Sequence, residues 1–272
     1  MSDDIDLGAY FARIGYAGGA APTLATLRAL HHAHPQAMAF ENLNPFLGMP
    51  VRLDAPSLQR KLLHEGRGGY CFEQNGLFYR VLRQLGFRVT GLAARVLLGR
   101  VGRQIERSHM LLKIDLDSEI WIADVGFGSQ TLTAPLRLGE AGAQETPHGT
   151  FRLLRVGDEI DQQSRWNGDW ETHYCFTLEA QILPDYEANN WYRATHPESQ
   201  FVKNLICARP VEGWRLGLLN NAFTVRRANG SDPQKRLLSG PEELMDVLEQ
   251  EFGLMLPGTR VDLAPKLARA FQ

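Results

Sequence analysis

Apolar residues recur along this chain with two different spacings, and the change between them divides it. Up to Gly86 the repeat is three to four residues, that of helices with one buried face. In "PTLATLRALHHAH" it places Leu24, Leu27 and Leu30 on one stripe, with Pro22 marking the start. "DAPSLQRKLLHEG" offers Asp54 as a cap, Leu58, Leu62 and Leu63 on one face, and Gly66 as a stop. "CFEQNGLFYRVLRQLG" repeats at Phe72, Phe78, Val81, Leu82 and Leu85 before Gly86, which puts Cys71 in the first turn of a helix. From Phe87 the pattern changes to short extended runs bounded by turn residues. "FRVTGLAARVLLG", "SHMLLKIDL", "IWIADVGFG", "GTFRLLRVGDEI" and "HYCFTLEA" read as antiparallel strands at spacings suited to a barrel or sandwich. "LPDYEANNWYRATHPESQ" is polar and turn-rich and reads as a connection. Beyond it come a hairpin around Asn229-Gly230 and a helix whose Ser239 and Glu242 form a capping box, with Pro241 at its start.

Composition narrows the class of partner. Twenty-nine basic and 31 acidic residues leave a formal charge of −2 without long blocks of either sign, so no footprint for nucleic acid or an anionic membrane is present. The amino-terminal "MSDDIDLGAYFARIGY" is acidic where a secretory signal needs Lys or Arg, and no run approaches the ~18 apolar residues of a membrane span. A cytoplasmic protein acting on small molecules is expected. Cysteine occurs at 71, 175 and 207 with no CxxC pair, so free thiols are expected rather than disulfides or a structural zinc site. His31, His32 and His34 cluster on a helix without a carboxylate at metal-ligand spacing, and they read as a solvated face; no metal is expected.

Three residues can form a nucleophilic site. The first turn of a helix favours negative charge on a thiol, and Gly68-Gly69 let the backbone turn sharply just before Cys71. In "SHMLLKIDLDSEIWIADVGFG", a two-residue loop at Asp117-Ser118 opposes Leu116 to Glu119. Asp124 then becomes a same-face diagonal neighbour of His109 at ~7–8 Å between backbones, within reach of an imidazole–carboxylate bond. The carboxylate would fix the tautomer of His109, whose other nitrogen could take the thiol proton. Taken alone, a cysteine at a helix start is more often a small core residue than a nucleophile, and by spacing alone His109 and Asp124 are equally the polar ends of two strands.

"RGGYCFEQN" at 67–75, "SHM" at 108–110 and "DVGFG" at 124–128 resemble the arylamine N-acetyltransferase family. So do "YFARIGYAG", "FENLNPF" at 40–46 and "LAARVL" at 92–97, densely in the first half of the chain and loosely in the second. The resemblance implies an α+β protein with a cysteine-protease-like Cys–His–Asp core. Its parts would be a helical bundle (residues 1–86, carrying the nucleophile), an antiparallel β-barrel (87–190, carrying His and Asp) and an α/β lid (191–272, including the connection). It implies a triad of Cys71, His109 and Asp124 and ping-pong transfer of acetyl from acetyl-CoA, through a Cys71 thioester, to an arylamine or arylhydrazine, as in xenobiotic metabolism. Phe40, Val96, Phe127 and Phe201 would line the acceptor pocket, and Gly126 and Gly128 would let CoA approach backbone N–H groups. Arg67 and Glu73 are expected to brace the loop by ion pairing. Animal members of the family have an insertion after the barrel and a longer tail that shape the CoA cleft; this chain has room for neither, so its CoA contacts stay open. The same three residues would also serve a papain-like or transglutaminase-like enzyme, or survive in a protein that only binds aromatic compounds. The preferred acceptor, acyl-chain tolerance and oligomeric state are not readable from sequence.

Overall fold

Short polar side chains start the first helices. Asp6 accepts the Ala9 N–H at 2.9 Å ahead of α1 (Leu7–Ile14), Thr23 accepts the Thr26 N–H at 3.2 Å ahead of α2 (Leu24–Ala37), and Asp54 accepts the Ser57 N–H at 2.9 Å ahead of α4 (Ala55–Leu58). Between α2 and α4 lie the two-residue strand β1 (Phe40–Glu41) and the single turn α3 (Leu43–Phe46). After α4 the chain widens into a π-helical turn (Gln59–His64), stops at Gly66 with φ +61°, and begins α5 (Cys71–Gln84). The computed structural model describes residues 3–100, 102–140, 142–166 and 168–272.

Eight strands follow: β2 (Arg88–Val96), β3 (His109–Leu116), β4 (Glu119–Ala123), β5 (Leu136–Arg137), β6 (Gln144–Thr146), β7 (Gly149–Val156), β8 (Glu159–Trp166) and β9 (Asp169–Phe176). They form an antiparallel sheet in the order β5-β4-β3-β2-β9-β8-β7-β6. The sheet curls until its two edges meet, and the Gln144 side chain bridges them, accepting the Arg137 N–H at 2.8 Å and donating to the Arg137 carbonyl at 3.0 Å. This nearly closed barrel has its own core, with Leu92, Leu111, Ile122, Phe151, Ile160 and Tyr174 buried inside it.

The remaining elements are α6 (Leu183–Thr195), α7 (Gln200–Lys203), β10 (Ile206–Val211), β11 (Trp214–Leu219), β12 (Ala222–Arg227), β13 (Gln234–Leu237), α8 (Pro241–Gln250), α9 (Arg260–Leu267) and a closing 3₁₀ turn (Ala268–Phe271). A second antiparallel sheet runs β1-β10-β11-β12-β13, so its first strand comes from the amino-terminal part of the chain. The architecture is the expected α+β one. Among the described residues no helix is long and apolar enough to cross a membrane.

Four local expectations are corrected. "LPDYEANNWYRATHPESQ" is not a connection: most of it is α6, whose buried side consists of Tyr186, Asn190, Arg193 and Ala194. Two of those four are polar, so hydropathy does not betray the face. "GTFRLLRVGDEI" is not one strand but the hairpin of β7 and β8, turning at Gly157 with φ +61°. The cap of α8 uses Glu243 in place of Glu242, its carboxylate accepting from the Ser239 N–H at 2.7 Å and hydroxyl at 2.9 Å. His31 and His34 are fully buried instead of solvated.

Candidate active site

Cys71 is the first residue of α5, where Glu73 accepts the Tyr70 N–H at 3.1 Å and fixes the helix start. The loop leading into it is braced by charge. Arg67 donates to Glu41 at 2.7 and 3.1 Å and to the Asn44 side-chain oxygen at 3.0 Å, while Lys61 donates to Glu73 at 2.6 Å. All four charged side chains are buried. Gly68 has no room for a side chain, since a Cβ there would fall 1.9 Å from the Ala39 carbonyl oxygen.

The opposite wall is the β3–β4 hairpin. Asp117 and Ser118 take φ of 49° and 65°, a two-residue turn of the type that matches strand twist, and Leu116 faces Glu119 as the loop length requires. His109 opens β3 and Asp124 lies one residue past the last ladder residue of β4, and there the side chains meet: His109 Nε2 donates to Asp124 Oδ2 at 2.7 Å. The second carboxylate oxygen accepts from Asn75 Nδ2 at 2.9 Å and from the Gly126 N–H at 3.0 Å. Asn75 also donates to the Met110 carbonyl at 2.8 Å and accepts the Val125 N–H at 3.0 Å, so one amide on α5 ties the nucleophile's helix to both arms of the hairpin.

Cys71 Sγ lies 3.8 Å from the carbonyl oxygen of Ser108, the residue before His109. Burial alone would push the His109 imidazole down, but the Asp124 carboxylate and the Cys71 sulfur beside it outweigh that and raise it to about 10. Burial works against the Asp124 carboxylate too, yet His109, Asn75 and the Gly126 N–H hold it below the usual carboxylate range. A cysteine, an imidazole that retains its proton at neutral pH and an ionised carboxylate are thus brought together. Cys175 and Cys207 are also free and buried, and burial pushes both thiols up.

Cys71 and His109 open onto a cavity of about 1400 Å³. Phe40, Val96, Phe127, Phe201, Gly126 and Gly128 all line it. Phe127 stands edge-on to His109 with ring centroids 5.1 Å apart, and Phe40 and Phe201 are 6.1 Å apart. Gly126 and Gly128 serve differently. A Cβ on Gly126 would meet the Cys71 Cα at 2.9 Å, so this glycine lets the hairpin close on α5, and its N–H is engaged by Asp124. Gly128 takes φ +92°, a turn that glycine adopts without strain.

Sequence reasoning missed Asn75, His31, and the basic residues Arg193, Arg226 and Lys235 on the cavity wall. Asn75 had a signal, since four residues from Cys71 it shares that residue's helix face. His31 had one as well: Leu27, Leu30, His31 and His34 form the buried stripe of α2. The basic residues had none, because only the folded α6 and second sheet carry them to the cavity.

Comparison with known proteins agrees with this geometry. A family model described as N-acetyltransferase matches residues 23–261. The chain is 45% identical over 246 residues to the arylamine N-acetyltransferase of Escherichia coli (strain K12), covering 90% of this chain and 87% of that protein. Arylamine N-acetyltransferase from Salmonella typhimurium has a solved structure that superposes with a TM-score of 0.91 at 41% identity, covering 97% of this chain and 99% of that one. That of Mycobacterium marinum in complex with CoA gives a TM-score of 0.93 at 36% identity, over 97% and 99% of the two chains. Sequence and fold thus agree over nearly the whole length, and the chain belongs to the arylamine N-acetyltransferase family.

Proposed function

We propose that Cys71 carries an acetyl group from acetyl-CoA to the nitrogen of an arylamine or arylhydrazine, with His109 as acid and base and Asp124 as its orienting carboxylate. The observation that carries this reading is the 2.7 Å bond from a buried His109 to a buried Asp124, on the wall of a cavity into which Cys71 also opens. In the first half-reaction the Cys71 sulfur, its proton held by His109, attacks the acetyl carbonyl. A C–S bond forms to Cys71, the C–S bond to CoA breaks, and His109 returns its proton to the departing CoA thiolate. Both donor and acetyl-enzyme are thioesters, so the exchange is nearly balanced.

In the second half-reaction the neutral amine attacks the Cys71 thioester. His109 takes the surplus proton from nitrogen, and the thiolate leaves. Phe40, Phe127, Phe201 and Val96 suit a flat ring, because aromatic rings prefer offset and edge contacts with one another. Arg226 and Lys235 at the cavity wall suit a phosphate-bearing donor, which supports reading the β12–β13 side of the cavity as the CoA side. Three free thiols accord with work in the reducing cytoplasm.

The test is acetyl-enzyme formation followed by amine-dependent release of CoA. With acetyl-CoA alone, the protein should gain one acetyl group and stop. Adding 4-aminosalicylate or a hydrazinobenzoate should start turnover. Cys71→Ser should abolish both steps, while Cys175→Ser and Cys207→Ser should stay within about threefold of wild type. Peptide cleavage without amine-dependent CoA release would show a hydrolase instead.

A further inference from the structure

His31, His34, His173 and Tyr174 are buried near the triad but have no part in the reaction just described. His173 stacks on Phe127 and Tyr174 packs tilted against His109, as walls of the aromatic cluster. His34 bonds to Gln74 at 2.8 Å and to the Tyr10 hydroxyl at 3.0 Å, which ties α2 to α5 and α1. His31 alone of these four bonds directly to the main chain of a triad residue: its Nε2 accepts the Asp124 N–H at 3.0 Å.

That bond meets a need created by the fold. The β3–β4 ladder ends at the pair Leu112–Ala123, so Asp124 lies one residue past it and its N–H has no strand partner. In a fully buried position an unmet N–H is destabilising, and a side chain from another element supplies the acceptor. Because Nε2 accepts, the ring proton sits on Nδ1, which finds no partner among the described residues. The ring is therefore placed to accept and not to donate. Its face is set by Phe78, edge-on with centroids 5.8 Å apart. The Asp124 carbonyl is held from the other side by the Thr131 hydroxyl at 3.2 Å. The peptide units flanking the carboxylate are thus clamped before its side chain reaches for His109.

We propose that His31 is a positioning residue for acetyl transfer: by accepting the Asp124 N–H it sets the backbone from which the carboxylate reaches His109. This rests on the reading of Asp124 as the residue that orients His109. Burial is the chief reason that the His31 imidazole is lowered to about 4, with Asp124 raising it and His32 lowering it. It therefore stays a neutral acceptor wherever His109 is active.

The experiment compares His31→Gln, His31→Leu, His31→Asn and Asp124→Asn in the full chain. Three readouts are taken: single-turnover acetylation by acetyl-CoA, the pH profile of Cys71 alkylation by iodoacetamide, and the melting temperature. His31→Leu removes the acceptor and keeps the bulk. It should slow acetylation by about 10- to 100-fold and move the alkylation profile by about one pH unit, since a displaced carboxylate holds the imidazolium less well. His31→Gln, whose carbonyl oxygen reaches the place of Nε2, should restore the rate to within about threefold. His31→Asn is too short and should resemble His31→Leu, which keeps the comparison usable should the leucine variant fail to fold. A His31→Leu enzyme with a lowered melting temperature but the wild-type rate and profile would overturn the proposal, as would equal rates for the Gln and Asn variants. In either case an inert Asp124→Asn would leave the triad standing. Wild-type acetylation by Asp124→Asn would overturn the reading of Asp124 itself, and this inference with it.

Discussion

Arg67 and Glu73 flank Cys71 in sequence, yet they act on it through the shape of the loop. Glu41 is fully buried, and the charges of Arg67 and Lys61 hold its carboxyl below the usual range against the pull of burial. Its other oxygen accepts the Leu43 N–H at 2.7 Å, so one side chain links the second sheet's first strand, the α3 turn and the loop before the nucleophile. Such a cluster adds little stability over an apolar core of the same shape, but removing one partner leaves a charge buried without compensation. Arg67→Ala leaves Glu41 facing Lys61 at 3.6 Å, and should lower the unfolding free energy by about 3–5 kcal/mol. Urea denaturation measures it. A loss under about 1 kcal/mol would mean that the loop holds its shape without the arginine. The thioester chemistry itself should survive in the folded fraction, because Arg67 donates to Glu41 and Asn44 and not to the triad.

The hairpin of β3 and β4 shows how far one element can carry a site. Its two-residue turn fixes which residues face each other, and a slip of one position would turn Asp124 away from His109. Asp117 and Ser118 occupy positive φ, where a side chain is disfavoured and Asn-Gly is preferred. Asp117→Asn with Ser118→Gly should therefore stabilise the protein by about 0.5–1 kcal/mol, seen as a melting temperature higher by about 1–3 °C with unchanged acetylation rate. Inserting one glycine between them should instead remove activity. This register was legible because the loop residues, the strand alternation and the triad spacing all agree. The α6 helix was not, since Asn190 and Arg193 are buried by partners far away in sequence: Tyr70 and the Val51 carbonyl for the first, Glu106 for the second. His31 and His34 differ: Leu27 and Leu30 mark their stripe as buried, although their partners lie on α5 and past the end of β4. Local pattern reports a buried face only when that face is apolar.

At the scale of the molecule the cavity belongs to no single part. Phe40 comes from the edge of the second sheet, Cys71 from a helix start, Val96 and Phe127 from the barrel, and Phe201 from α7. Distant parts of the chain are tied together beside it, as when Asn42 donates to the Phe201 and Asn204 carbonyls at 2.8 and 2.7 Å. Holding these parts together requires several neutral histidines in the interior, and this sets the response to acid. Burial is the main cause that lowers His31 to about 4 and His34 and His173 to about 3. Each value lies below the ~6.5 of an unfolded histidine, so the unfolded chain takes up the extra protons. Their contribution is whole above pH ~6.5 and is lost as pH falls toward the folded values. Near pH 5 the three together should lower stability by about 4 kcal/mol per pH unit, enough to exhaust a typical ~5–15 kcal/mol within a few units. His109 works in the opposite sense: raised to about 10, its contribution is present below ~6.5 and lost as pH rises through 10. The melting temperature should thus peak near pH 7, fall steeply below about 5.5, and decline more gently on the alkaline side as the His109 contribution is lost at about 1.4 kcal/mol per pH unit up to about pH 10. Calorimetry across this range decides it: an undiminished melting temperature at pH 4.5 would mean that these rings accept protons without the interior opening.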